Sequence, residues 1–230
     1  MIGLKTKLLA ATFKLISYNL TVTGKEEEIC QNAPRMEVIA EALDAGVENN
    51  LCQNPETLTK EQMKSCWSGN PERLAWIMFT MGELESGYKY NIHAGQCSKH
   101  ECDPVFRLLS NGEKKFVYHK ARTSWQLHKT NFITDQQWED MVGTSLEATT
   151  IAATIVGKEL TSFRYTCGSD RGAISMYATG RMCNWVNAKS RLQKAKKHMQ
   201  DAKNEEWVYK YIEKYNSCFE QESDYRVAYN

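Results

Sequence analysis

The stretch of the chain that could most directly do chemistry is residues 70–87, where a glutamate follows a run of apolar side chains. Asn70 and Pro71 predict the start of a helix, and Gly87 predicts its end. One stripe of this helix is apolar and ends in a carboxyl group, namely Leu74, Met78, Met81 and Glu85. Apolar surroundings and the negative end of the helix dipole both disfavour a charged carboxylate. We therefore expect Glu85 to be held protonated near neutral pH, where it could act as a general acid.

The same pattern also fits an ordinary core helix, because apolar side chains occur on nearly all of its faces. Trp76 and Phe79 fall on the far side of the helix, near Glu83. In that interpretation the glutamates of the last turn only reach solvent. The choice between the two depends on the residues that follow Glu85.

Length and composition restrict the class of protein. The chain has 230 residues, of which 42% are hydrophobic and 25% charged, as in a globular protein of one domain or one domain with an accessory lobe. Its net charge of +1 does not select a polyanion, so we predict no nucleic-acid partner. No run of 18 apolar residues occurs, so we predict no stable membrane insertion.

Eight cysteines are many for a reduced cytosolic protein, and their even number is typical of an oxidising destination. We predict two disulfides, Cys97–Cys102 and Cys167–Cys183. At the N-terminus, Lys14 interrupts an apolar run that starts at Leu8. We interpret residues 1–20 as an amphipathic segment rather than a signal peptide.

Hydrophobic periodicity and turn residues predict a mainly α protein with at most a small strand element. Besides the helix at 70–87, the predicted helices are 36–47, 57–67, 134–141, 145–163, 171–179, 184–202 and 205–219. Residues 88–112 are predicted to be a loop, and residues 114–119 a short strand. We divide the chain into an N-terminal helical segment (1–69), a central domain (70–203) and a C-terminal helix (204–230) that could dock to a partner.

Three segments together resemble one family. They are residues 85–88 (Glu-Ser-Gly-Tyr), residues 124–128 (Ser-Trp-Gln-Leu-His), which start 39 positions after Glu85, and residues 177–180 (Tyr-Ala-Thr-Gly), about 50 positions further. This order resembles the soluble lytic transglycosylases and goose-type lysozymes of the lysozyme-like superfamily, over about half of the chain. In that family a Glu-Ser helix end, a Gly-Leu-Met-Gln-like turn and an Ala-Tyr-Asn-like segment line one cleft. Here Thr123 replaces the glycine and Trp125 the methionine.

The resemblance implies a lysozyme-like helical domain with a central buried catalytic helix. It implies that Glu85 is the acid and base that cleaves peptidoglycan glycan strands to a 1,6-anhydro product, without a cofactor or a second catalytic carboxylate. The substrate-binding residues would be Ser86, Tyr90, Trp125, Gln126 and Tyr177. The cysteine-bearing loop at 93–103 resembles phage-type members, so the expected location is a phage virion, with other virion proteins as partners, or a secreted or periplasmic one.

Three alternatives remain open at this point. A hydrolytic goose-type muramidase would position a water molecule with acidic residues, for which Glu101 and Asp103 are candidates. A zinc site could form from mixed nitrogen and sulfur ligands, namely His93, Cys97, His100 and Cys102, although we prefer a disulfide there. A non-enzymatic wall-binding or virion structural protein would keep the fold with a decayed site.

Overall fold

The protein is mainly α-helical, as predicted. The computed structural model describes residues 2–96, 104–108, 112, 114–118 and 121–227. In these residues the helices are α1 (Leu4–Val22), α2 (Ala33–Glu48), α3 (Pro71–Ser86), α4 (Tyr90–His93), α5 (Asp135–Asp140), α6 (Leu146–Cys167), α7 (Asp170–Thr179), α8 (Ala188–Asp201) and α9 (Glu205–Val227). Strands β1 (Pro104–Leu108) and β2 (Lys114–Tyr118) form one antiparallel hairpin, with Phe106 opposite Phe116.

Helix α3 is the buried centre of the fold. Its start is capped by Asn70, whose side chain accepts a hydrogen bond from the N–H of Glu72 at 2.8 Å. It ends at Gly87, which adopts a left-handed conformation with φ of +62°. Every residue from Leu74 to Gly82 is buried. The prediction of a central buried helix is confirmed.

One hydrophobic cluster contains residues from almost the whole described chain, from Leu8 in α1 to Cys218 in α9. Leu8, Phe13 and Ile16 of α1 are buried in it, so the first helix is part of the core. The three segments into which we divided the chain (1–69, 70–203 and 204–230) therefore share one core in the described residues. That they have separate functional roles stays a prediction. No helix in the described ranges has both the length and the apolar character needed to cross a bilayer.

Three disulfides lie within the described part of the chain. They are Cys30–Cys218, Cys52–Cys66 and Cys167–Cys183, of which the last confirms a prediction. Cys97 and Cys102, the other predicted pair, lie outside the described residues. The Cys30–Cys218 bond fastens α9 to the turn before α2 across 188 positions. Three disulfides are typical of proteins that reside in an oxidising compartment.

The prediction of a helix at 57–67 is wrong. The structure has two short 3₁₀ turns there, Pro55–Thr57, which ends at the start of this stretch, and Gln62–Lys64 within it. Buried Trp67 lies beside the end of α2. Its backbone N–H donates to the Asn50 carbonyl at 2.6 Å, and its carbonyl accepts from the backbone N–H of Cys52 at 3.1 Å. These contacts and the Cys52–Cys66 bond require the chain to reverse, which overrides local helix propensity.

Two other predicted helices are present but have different bounds. The helix predicted at 184–202 begins only at Ala188, and the last helix continues beyond 219 to Val227. Strand β1 lies in a stretch that we predicted to be a loop.

Three side chains of α8 contact the glutamates in the last turn of α3. Lys194 Nζ and His198 Nε2 each lie 2.8 Å from a different oxygen of Glu83, and Arg191 pairs with Glu85. Burial by itself would raise the pKa of Glu83, but hydrogen bonds from His198 and Lys194 outweigh burial and lower it. These α8 residues therefore help to fix the position of α8 against α3.

We expect Glu83→Gln to lower the free energy of unfolding by roughly 2–4 kcal/mol near neutral pH, because Lys194 and His198 lose a largely buried carboxylate partner. Because the folded pKa of Glu83 is depressed, its contribution is present above the unfolded pKa and is lost as the pH falls through the folded pKa. Urea unfolding at several pH values measures this difference.

The matched control is Glu41→Gln, which removes an exposed pair with Lys5 and should cost less than about 1 kcal/mol. Equal losses in the two variants would contradict the role assigned to the contact between α3 and α8.

Candidate active site

The turn that follows α3 is fixed by Tyr88, which packs against the helix. Its hydroxyl donates a hydrogen bond to the Phe79 carbonyl at 3.1 Å, and its backbone has a positive φ of +53°. A Cβ atom at Gly82 would lie 2.4 Å from the Tyr88 hydroxyl oxygen, so this close approach requires glycine. Ser86 Oγ accepts from the N–H of Tyr88 at 3.0 Å and donates to the Gly82 carbonyl at 3.2 Å. The hydroxyl of Ser86 thus stabilises the helix end that carries Glu85.

The predicted glutamine turn is a tight loop over residues 122–127. Its ends pair through two backbone hydrogen bonds between Arg122 and Leu127, of 2.9 and 2.8 Å. Thr123 and Gln126 have positive φ angles of 69° and 53°. Such backbone conformations are unfavourable for residues other than glycine and cluster at functional sites. The turn holds the half-buried Gln126 at the cavity described below.

Trp125 anchors this turn to α3. Its indole N–H donates to the Met78 carbonyl at 2.9 Å, and its ring meets Tyr88 edge-on with centroids 5.8 Å apart. The side chain is 1% exposed. Trp125 therefore acts mainly as a buried anchor, with little ring surface left for a sugar to stack on.

Tyr177 of α7 completes the arrangement by donating a hydrogen bond from its hydroxyl to the Trp125 carbonyl at 2.8 Å. Burial raises the pKa of Tyr177 well above its usual value, and the charges of Glu159 and Glu85 raise it further. The phenol thus stays protonated. Glu85, Trp125, Gln126 and Tyr177 all line one cavity of about 600 Å³.

Glu85 is partly buried, with 24% of its side chain exposed, and Arg191 Nη1 contacts its Oε1 as an ion pair. The Arg191 guanidinium lies over the ring of Trp185, 5.0 Å from its centroid. The surroundings of Glu85 therefore differ from the dry, uncharged environment that we expected from the apolar stripe. A neighbouring cation stabilises a charged carboxylate, so acid chemistry at Glu85 requires Arg191 to release it.

A second cavity, of about 1110 Å³, lies on another side of Glu85, between α1, the start of α2 and the end of α3. Ser86 and Tyr90 line this cavity and not the first one. Tyr90 is 56% exposed, and the Arg35 guanidinium lies 5.7 Å from its ring centroid. The predicted site residues are therefore divided between two cavities that meet at Glu85.

Glu159 of α6 is the residue that our sequence reasoning missed. It lines the same cavity as Glu85 although only 5% of it is exposed, and its Oε1 accepts a hydrogen bond from Thr130 Oγ1 at 3.0 Å. Burial raises the pKa of Glu159 to about 7, against the opposing effect of Thr130. A usable signal existed, because Glu159 lies next to buried Leu160 and three positions after buried Val156.

The other acidic and metal-ligand candidates lie mostly outside the described residues, namely Glu101, Asp103, Cys97, His100 and Cys102. His93 is described and buried, with Nε2 3.0 Å from Thr149 Oγ1. Burial and the charge of Arg35 lower the pKa of His93 to about 3, so its imidazole is neutral. Within the described ranges, no group of three or more metal-ligating side chains has the geometry of a metal site.

Comparison with known proteins found no matching family model, and no curated protein or solved structure matched the chain significantly. The resemblance to the lysozyme-like superfamily therefore depends on the three sequence segments and stays a prediction.

We expect the stability of the protein to reveal the unusual environment of Glu159. Because its folded pKa of about 7 exceeds the value of 4.5 for an unperturbed glutamate, folding binds a proton between these values. The contribution of Glu159 to the free energy of unfolding is thus most favourable at acidic pH, and it falls by roughly 3 kcal/mol as the pH rises through this window. Glu159→Gln should remove that part of the decline in thermal or urea unfolding.

Glu147→Gln changes an exposed carboxyl on the same helix and is the matched control. The account of Glu159 is wrong if both variants follow the pH dependence of the wild type.

Proposed function

We propose that this protein is a lytic transglycosylase that cleaves the β-1,4 bond between N-acetylmuramic acid and N-acetylglucosamine in peptidoglycan. The observation that carries the proposal is the meeting of Glu85, Gln126 and Tyr177 on one cavity, from three separate segments of the chain. A cavity of about 600 Å³ lies within the range usual for small-molecule sites. Its carboxyl, amide and phenol groups suit the hydroxyl and acetamido groups of a sugar.

In the first step, protonated Glu85 gives its proton to the glycosidic oxygen. The bond from that oxygen to C1 of the muramyl residue breaks, and N-acetylglucosamine leaves with a new 4-hydroxyl. The carbonyl oxygen of the muramyl acetamido group bonds to C1 and stabilises its positive charge, as in other substrate-assisted glycosidases. This route needs no carboxylate nucleophile.

In the second step, the Glu85 carboxylate removes the proton of the muramyl 6-hydroxyl. The 6-oxygen bonds to C1 while the bond from the acetamido oxygen to C1 breaks, which gives a 1,6-anhydro sugar. Glu85 is protonated again, and no water is consumed. One carboxyl group thus serves as acid and then as base.

Arg191 supports the second of these roles, because its ion pair with Glu85 stabilises the carboxylate. The first role requires substrate to displace Arg191 from Glu85. Trp185 offers Arg191 an aromatic face that it already contacts. The ion pair is thus compatible with the ionised form of Glu85, which is the form that the second step uses.

Hydrolysis is the second candidate, because Glu159 places another carboxyl group on the same cavity. An inverting muramidase needs an ionised carboxylate that activates water. With a pKa of about 7, Glu159 is incompletely ionised at neutral pH, and this favours the transglycosylase. Placement in a phage virion is a proposal that follows from the resemblance. Docking through the C-terminal helix is a separate proposal, made because this helix lies outside the segments that carry the resemblance.

The test is a digest of purified peptidoglycan, analysed by mass spectrometry. We expect wild-type protein to release fragments with 1,6-anhydro ends, each lighter by one water than a reducing-ended hydrolysis product. Glu85→Gln keeps the shape of the side chain but cannot transfer the proton, so its rate should fall roughly 10²–10⁴-fold. Glu41→Gln, which changes an exposed carboxyl remote from both cavities, should retain full activity.

Reducing ends in the digest would instead identify a muramidase. Unchanged lysis by Glu85→Gln would contradict the catalytic role of Glu85, and no lysis by the wild type would support the non-enzymatic alternative.

A further inference from the structure

Glu159 has no part in the two-step reaction, yet it lies in the cavity where that reaction would occur. Thr130 Oγ1 donates to its Oε1, and no described residue donates to its Oε2. Oε2 is also not fully buried. Glu159 Oε2 is therefore available to a molecule in the cavity.

The described groups around Glu159 do not include a cation that pairs with it. Glu85 faces the cavity from α3 and is already paired with Arg191 of α8. Tyr177 faces it from α7 as a neutral phenol, and the turn after residue 127 contributes His128 and Thr130. Among the described residues, no ion pair includes Glu159. Burial without a counter-ion favours the protonated acid, which is a hydrogen-bond donor.

We propose that Glu159 binds the substrate as a neutral acid, by donating a hydrogen bond from its carboxyl group to an uncharged oxygen of an N-acetylated sugar beside Glu85. The inference rests on the proposed function, since it names a further substrate-binding residue of the same site. A donor at this position complements the oxygens of Glu85 and of the Gln126 amide, which can accept hydrogen bonds. Ionised Glu159 has no proton to donate in this hydrogen bond, and it would add a second negative charge near Glu85.

The experiment measures binding of tri-N-acetylchitotriose, a neutral N-acetylated oligosaccharide, by calorimetry at pH 5.5 and pH 8.5. The Glu85→Gln variant is the reference protein, because it prevents turnover and removes the titration of Glu85. With a pKa of about 7 for Glu159, the neutral fraction falls from nearly all to a few per cent. If only the neutral form binds, the affinity should decrease up to about 30-fold.

Adding Glu159→Gln supplies an amide donor that does not titrate, so the affinity should change only a few-fold and lose its dependence on pH. Adding His128→Asn removes the titratable imidazole that also lines the cavity, and the decrease should persist. The inference is overturned if the reference protein binds equally at both pH values or not at all. A decrease that persists with Glu159→Gln, or disappears with His128→Asn, also overturns it.

The peptidoglycan digest separates this inference from the proposed function. Lysis that depends on Glu85, together with binding that is independent of pH, rejects the role of Glu159 alone. Binding that depends on Glu159 without any lysis rejects the proposed reaction alone.

Discussion

The close packing of Tyr88 against Gly82 is the contact on which the rest of the site depends. Because Gly82 has no side chain, the Tyr88 ring reaches the backbone of α3, where its hydroxyl binds the Phe79 carbonyl. The same ring supports Trp125, and the Tyr88 carbonyl accepts a hydrogen bond from Arg35 Nη1 at 2.6 Å. One buried aromatic residue thus joins the end of α3, the glutamine turn and the start of α2. The position of Glu85 follows from this junction.

Charge in the site is arranged by two different physical effects. The last turn of α3 carries acidic side chains at the negative end of its dipole, and Arg191, Lys194 and His198 of α8 contact these side chains. Glu159, in contrast, has no counter-ion in the described residues, so burial favours its neutral form. Two carboxyl groups on one cavity therefore have different surroundings, because Glu85 pairs with Arg191 and Glu159 pairs with no described cation. In the proposed mechanism Glu85 transfers protons, while Glu159 only donates a hydrogen bond to substrate.

Local sequence signals predicted the elements that they control directly. The cap at Asn70 and the stop at Gly87 predicted α3, and the helix predicted at 134–141 is present as α5 (Asp135–Asp140). The family resemblance also picked out three segments that do meet in space. The pairing of Arg191 with Glu85 could not be predicted, because it depends on how α8 packs against α3 across 106 positions. The reversal of the chain at Trp67 likewise depends on contacts with the end of α2, which no local pattern encodes.

The central claim is that a glycan strand passes Glu85 and contacts the glutamine turn and α7. A crystal structure of the Glu85→Gln protein with a tetrasaccharide of alternating N-acetylglucosamine and N-acetylmuramic acid tests it most directly. The account predicts sugar density in the cavity lined by Gln126 and Tyr177, with a glycosidic oxygen within hydrogen-bond distance of the residue-85 amide. Sugar bound elsewhere on the protein, with this cavity holding only solvent, would contradict it.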